Sequence, residues 1–158
     1  PSSGSLSAEN VDHLLRAFPD AVFLATIRDP RDFVLSSLER RGLTVEYWVD
    51  EFLSAVELFQ KLTAQSTTRF LLTRYEDLVA RPRETAIKCC DFAGLTFEEA
   101  MLDPQAWSIK GPRGYERQGI QLSKRRQTWL GDDNRKTVRL VEKKCLKSAK
   151  RFGYSRTE

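Results

Sequence analysis

The chain has 158 residues, of which 41% are hydrophobic and 30% charged. This is the composition of an ordinary globular domain, and it excludes a disordered tail, a collagen-like fibre and a low-complexity linker. The longest uncharged apolar run, Ala21–Ile27, is too short to span a bilayer. Three cysteines, two of them adjacent (Cys89 and Cys90), do not make a small disulfide scaffold. The net charge of +4 is unevenly spread: Lys124–Arg151 holds 11 basic and 3 acidic residues, and the rest of the chain 15 basic and 19 acidic. A basic C-terminal third suits an anionic partner as well as it suits a solvated helix face. Nucleic acid is not the expected partner, because the aromatic residues Trp129 and Phe152 only flank the basic run.

Taken in chain order, residues 1–10 are small, polar and Ser-rich and read as a loop. Val11–Ala17 reads as a short helix. Ala21–Ile27 is a continuous apolar run with β-branched and aromatic members, the pattern of a strand buried on both faces in a parallel sheet. Asp29 is placed to cap a helix that starts at Pro30 and runs to Arg41-Gly42. A second helix follows, with Val45, Trp48, Val49, Phe52, Val56 and Phe59 in one apolar stripe. Arg69–Arg74 is a second strand. Pro82–Ala93 is a helix stopped by Gly94, and Thr96–Leu102 is expected to be helical. Asp103–Leu122 lacks periodicity and is long for a passive connection, which suits a binding or lid loop. Asn134–Phe152 closes the chain as a helix with Val138, Val141, Cys145, Ala149 and Phe152 on one face. Two strands joined through helices imply a parallel pair, and ligands of open α/β sheets bind outside the carboxyl ends of the strands.

Those ends carry Arg28-Asp29-Pro30-Arg31-Asp32, with Ser36 and Arg40 downstream, and Arg74-Tyr75-Glu76-Asp77-Leu78. A guanidinium beside exposed N–H groups at a helix N-terminus is a phosphate site. Ser36 and Arg40, four apart, share a helix face and can address one anion. Tyr75 ends the second strand, where its ring could cover a base. Each residue also has a structural reading: Arg28 paired with Asp32 or Asp77, Ser36 as a small residue at a helix contact, Tyr75 as a core residue.

The segment Phe18-Pro19-Asp20-Ala21 … Ile27-Arg28-Asp29-Pro30-Arg31-Asp32 … Ser36 resembles the 3′-phosphate-binding segment of sulfotransferases. Arg74-Tyr75-Glu76-Asp77-Leu78-Val79 … Pro82 … Phe92-Ala93-Gly94-Leu95 resembles their second strand and the helix after it, and Trp129 followed by a helix ending Phe152-Gly153-Tyr154 resembles their C-terminus. The resemblance implies part of a P-loop-kinase-like three-layer α/β fold, its parallel sheet represented by strands at about 21–27 and 69–74. It implies a single domain over residues 1–158, the C-terminal portion of a sulfotransferase domain without the N-terminal phosphosulfate-binding loop, and a nucleotide-covering loop over 103–128. The donor would be 3′-phosphoadenosine 5′-phosphosulfate, with no metal, and the acceptor a small-molecule, glycan or protein hydroxyl or an amine. Arg28, Ser36 and Arg40 would hold the 3′-phosphate, Tyr75 would pack near the adenine, and Arg113, Arg117 or Lys110 would reach the nucleotide from the loop.

No residue is assigned as catalytic. No Gly-x-x-Gly-[Ser/Thr] pattern precedes Arg28, and His13, the sole histidine, falls inside the first helix, where a surface position is the simpler reading. A nucleotide- or polyanion-binding module without chemistry and a P-loop kinase relative are the alternatives. Tyr47, Trp48 and Trp107 are candidate acceptor-lining aromatics, with core packing the simpler reading of Trp48. Cys89 and Cys90 read as small buried residues of a helix, and free thiols favour a reducing cytoplasm over the Golgi lumen.

Overall fold

The computed structural model describes residues 8–64, 69–103 and 128–156. The chain divides into two compact units, one of residues 1–74 and 127–158 and one of residues 75–126.

The first unit is a two-stranded parallel sheet with helices packed on it. Helix α1 (Ala8–Ala17) leads through Phe18-Pro19-Asp20 into β1 (Val22–Ile27). After β1 come α2 (Pro30–Arg41), α3 (Val45–Ala64) and β2 (Arg69–Arg74). The strands pair in parallel from Val22↔Arg69 to Ile27↔Arg74. The last helix of the unit is α6 (Arg135–Ala149), followed by a 3-10 turn over Lys150–Phe152. The expected closing helix thus tightens in its final turn. Leu146 joins the buried residues of α6, and Phe152 stays half-buried against the core.

Two apolar clusters hold this unit together. The larger joins Ile27 of β1 and Val34 of α2 to Trp48, Val49, Phe52 and Val56 of α3 and Val141, Cys145 and Ala149 of α6. Val34, Val141, Cys145 and Ala149 are completely enclosed. Each buried Val contributes on the order of 1.5–3 kcal/mol relative to exposure. Trp48 is core, as its simpler reading held, and its indole N–H donates to the Gly42 carbonyl at 2.8 Å. The smaller cluster joins Val11 of α1 to Leu58 and Leu62 of α3, with Phe23 and Phe70 from the strands. His13 lies on the exposed side of α1.

One expectation fails in β1. Among the described residues the strand is covered on one face only: Phe23, Ala25 and Ile27 are half-buried or buried, while Leu24 is 51% exposed and Thr26 is exposed. An uninterrupted apolar run satisfies both a two-sided and a one-sided strand, because hydrophobic residues are common on surfaces as well. Here Thr26 and Thr73, opposite each other in the register, approach at 3.3 Å between hydroxyls, and the Thr73 hydroxyl donates to the Ala25 carbonyl at 3.2 Å.

The second unit contains α4 (Tyr75–Ala80), α5 (Pro82–Ala93) and a 3-10 turn over Glu99–Leu102. Pro82 opens α5 and Gly94, at φ 72°, closes it in the left-handed conformation that glycine adopts without strain. Helix α4 was not expected, and the helix expected over Thr96–Leu102 is reduced to its last turn. Cys90 is buried and Cys89 half-buried, both on α5 as expected. The Cys90 thiol lies 3.7 Å from the Met101 sulfur.

Candidate nucleotide-binding site

The site is built where β1 runs into α2. Asp29 caps α2: its carboxylate accepts the Arg31 N–H at 2.9 Å, and its carbonyl accepts the Phe33 N–H at 2.8 Å. Pro30 at the first helical position has no N–H to leave unpaired. Pro30, Arg31 and Asp32 are all buried. The cap thus engages the Arg31 N–H.

Three of the expected residues share one spacing. Arg28, Asp32, Ser36 and Arg40 stand four residues apart and form one row running from the end of β1 along α2. The Arg28 side chain is 17% exposed, and its guanidinium is turned along the helix to within 3.9 Å of the Asp32 carboxylate. That separation is at the outer edge of an ion pair. Ser36 is half-buried, and Arg40 is fully exposed at the far end. The row therefore offers two guanidinium groups and a hydroxyl on one helix face, a donor set suited to a phosphate dianion.

Tyr75 follows Arg74 in the chain but opens α4 instead of ending β2, and it is half-buried. Lys110, Arg113, Arg117 and Trp107, with nearly all of the expected covering loop, lie outside the described residues.

Arg31, between Arg28 and Asp32, had no assigned role, and the structure makes it the most connected side chain of the region. Its guanidinium donates to Asp29 at 2.9 and 2.7 Å, to Glu142 of α6 at 3.0 Å and to the Ser155 carbonyl at 3.2 Å. The Trp129 ring lies 3.7 Å from its central carbon. Burial alone would make the guanidinium easier to deprotonate, but the hydrogen bonds and negative charges of Asp29 and Glu142 outweigh it and hold the group above its ordinary value. With its donors engaged and its side chain 4% exposed, Arg31 anchors the start of α2 to α6. The Asp29–Arg31 spacing was a local signal for the cap; Glu142, 111 residues away, had none.

The Phe152-Gly153-Tyr154 segment completes the frame. Gly153, at φ 82°, turns the chain so that Tyr154 is buried against β1. Its hydroxyl donates to the Ile27 carbonyl at 3.3 Å, and the Arg74 guanidinium stacks over its ring at 4.6 Å. The residue before Arg28 is thus held from the C-terminal side of the chain.

Among the described residues no cluster of His, Cys, Asp or Glu could hold a metal ion, and no helix is long and apolar enough to cross a membrane. The model of the sulfotransferase family matches residues 5–99, more than half of the chain, and so covers β1, the Arg28–Arg40 row and β2. No curated protein and no solved structure matches the chain.

Proposed function

Because the chain belongs to the sulfotransferase family, whose members transfer sulfuryl groups, we propose that it takes the sulfuryl group from 3′-phosphoadenosine 5′-phosphosulfate and supplies the 3′-phosphate side of that nucleotide's site. The acceptor would be a hydroxyl or amine. The observation that carries the reading is the row Arg28–Ser36–Arg40 at the carboxyl end of β1, where ligands of open α/β sheets bind.

In this reading Arg28 gives a two-pronged contact to the 3′-phosphate, Ser36 donates its hydroxyl, and Arg40 adds a second positive charge from solvent. Asp32 positions Arg28 by keeping its guanidinium along α2. Arg31, Glu142 and Tyr154 keep the end of β1 and the start of α2 rigid, so that the donors are in place before the nucleotide arrives. Tyr75 and Arg113 remain assigned to the adenine and to the covering loop. The chemistry is an in-line displacement at sulfur. Like phosphoryl transfer, it depends on positioning the nucleotide and on neutralising charge on the leaving phosphate. None of the residues named here touches the reacting sulfur. Their contribution is to bind and orient the donor.

Calorimetric titration of 3′-phosphoadenosine 5′-phosphate tests this. Removing a charge-assisted contact costs about 1.5–3 kcal/mol. Arg28→Ala should therefore weaken binding about tenfold or more, with Ser36→Ala having a smaller effect. Unchanged affinity in Arg28→Ala would overturn the assignment.

A further inference from the structure

We propose that the solvent face of α6 is a docking strip for an acidic polypeptide segment. Every exposed residue of α6 is Lys or Arg. Lys136, Arg139, Lys143, Lys147 and Lys150 succeed one another by three, four, four and three residues, which places them in one row along the helix. At the helical rise the row is about 21 Å long, with one positive charge about every 5 Å.

The rest of the helix leaves that row unscreened. Val138, Val141, Cys145 and Ala149 face the core. The one acid of α6, Glu142, lies on the inner side, 15% exposed, held by Arg31 at 3.0 Å and Arg156 at 3.6 Å. None of the five row residues forms an ion pair among the described residues. A merely solvated helix usually mixes signs, because opposite charges four apart support it and like charges four apart weaken it. Here Arg139, Lys143 and Lys147 stand four apart and repel. A bound anionic chain would turn that repulsion into attraction.

The make-up of the strip selects the partner. Single-stranded nucleic acid is held by aromatic stacking as well as charge, and the row has no aromatic residue. A helix that docks on a lipid surface inserts apolar side chains beside its charges, and α6 exposes none. Carboxylates on one face of a polypeptide recur about every 5–7 Å, whether it is helical or extended, which matches the spacing of the row. The row lies beyond the residues matched by the family model, so the assignment rests on α6 itself.

The test uses fluorescein-labelled poly-L-glutamate long enough to cover the row, titrated at low and moderate salt. The variants are the charge-reversal pair Lys143→Glu/Lys147→Glu and the neutral pair Lys143→Gln/Lys147→Gln. Both side chains are exposed, so circular dichroism should be unchanged and melting should move only by the small contribution of such i,i+4 pairs. Saturable binding to the wild type that weakens with salt is expected. The charge-reversal pair should lose about tenfold or more, and the neutral pair less. Affinity for 3′-phosphoadenosine 5′-phosphate should be the same in all three proteins. Equal polyglutamate binding by all three, or none by the wild type at low salt, overturns the strip. Tighter binding of an oligothymidylate or of phosphatidylserine vesicles, lost in the same variants, overturns the polypeptide assignment. A parallel loss of nucleotide affinity would make the row part of the nucleotide site and overturn its separate role.

Discussion

The Tyr154 hydroxyl donates to the Ile27 carbonyl across 3.3 Å, joining the segment after α6 to the last residue of β1. Ile27 directly precedes Arg28, so the contact fixes the backbone from which the proposed phosphate ligand projects. Tyr154→Phe keeps the buried ring and removes one hydrogen bond. It should cost about 0.5–1.5 kcal/mol in urea unfolding. Tyr154→Ala also leaves a cavity and should cost about 3–5 kcal/mol. Equal stability of the two variants would show that the ring adds nothing.

Gly153 permits that contact. At φ 82° a side chain is strained, and a Cβ there would meet the Arg74 guanidinium at 3.0 Å. Gly153→Ala should destabilise the protein by about 1–2 kcal/mol. The measurement is the shift in denaturation midpoint at constant slope. An unshifted midpoint would mean that the turn is not held in the left-handed conformation.

Arg31 and Arg28 divide the work at the start of α2. Removing Arg31 takes the guanidinium at 2.7 Å from buried Asp29 and leaves half-buried Glu142 with Arg156 at 3.6 Å. Arg31→Met should therefore cost about 3–5 kcal/mol of stability. Arg28→Ala should carry the loss of nucleotide affinity. An Arg31→Met variant as stable as the wild type would contradict the division.

Cys145 gives the fold an alkaline limit. Its thiol is enclosed among Val141, Trp48 and their neighbours, and burial, with a smaller contribution from the charge of Asp50, pushes its pKa from 9.0 up to about 11. The unfolded chain releases this proton near pH 9, whereas the folded chain holds it until about pH 11. Between those values the folded state binds more protons, so stability falls as pH rises. Below pH 9 the contribution is complete and flat. Unfolding free energies from pH 8 to 11 should show this decline, and Cys145→Ala should reduce its slope. An unchanged slope would place the decline elsewhere.

Much of the fold was legible because it is locally encoded. The Asp29–Pro30 start of α2, the Gly94 stop of α5 and the apolar stripe of α3 are all signals within a few residues. The failures are equally physical. Helix α4 is only six residues long, too short to show a period. The exposure of Leu24 is invisible in an apolar run, since composition does not say which face is covered. For the site, the shared face of Ser36 and Arg40 was readable from spacing, and Arg28 from its place at the end of β1. The inward-facing cap and the role of Arg31 depend on Glu142, Trp129 and Ser155, which only folding brings near. The basic third of the sequence left open where its charges point; α6 puts Lys136, Arg139, Lys143 and Lys147 on its solvent face.

The central claim is that Arg28 reads the 3′-phosphate, and it is tested most directly by a two-ligand, two-protein cycle. Calorimetry would compare 3′-phosphoadenosine 5′-phosphate with adenosine 5′-phosphate, which lacks that group, on the wild type and on Arg28→Ala. The wild type should prefer the first ligand, and Arg28→Ala should lose about tenfold or more of that preference, equivalent to about 1.5–3 kcal/mol. The same preference in both proteins would contradict the account.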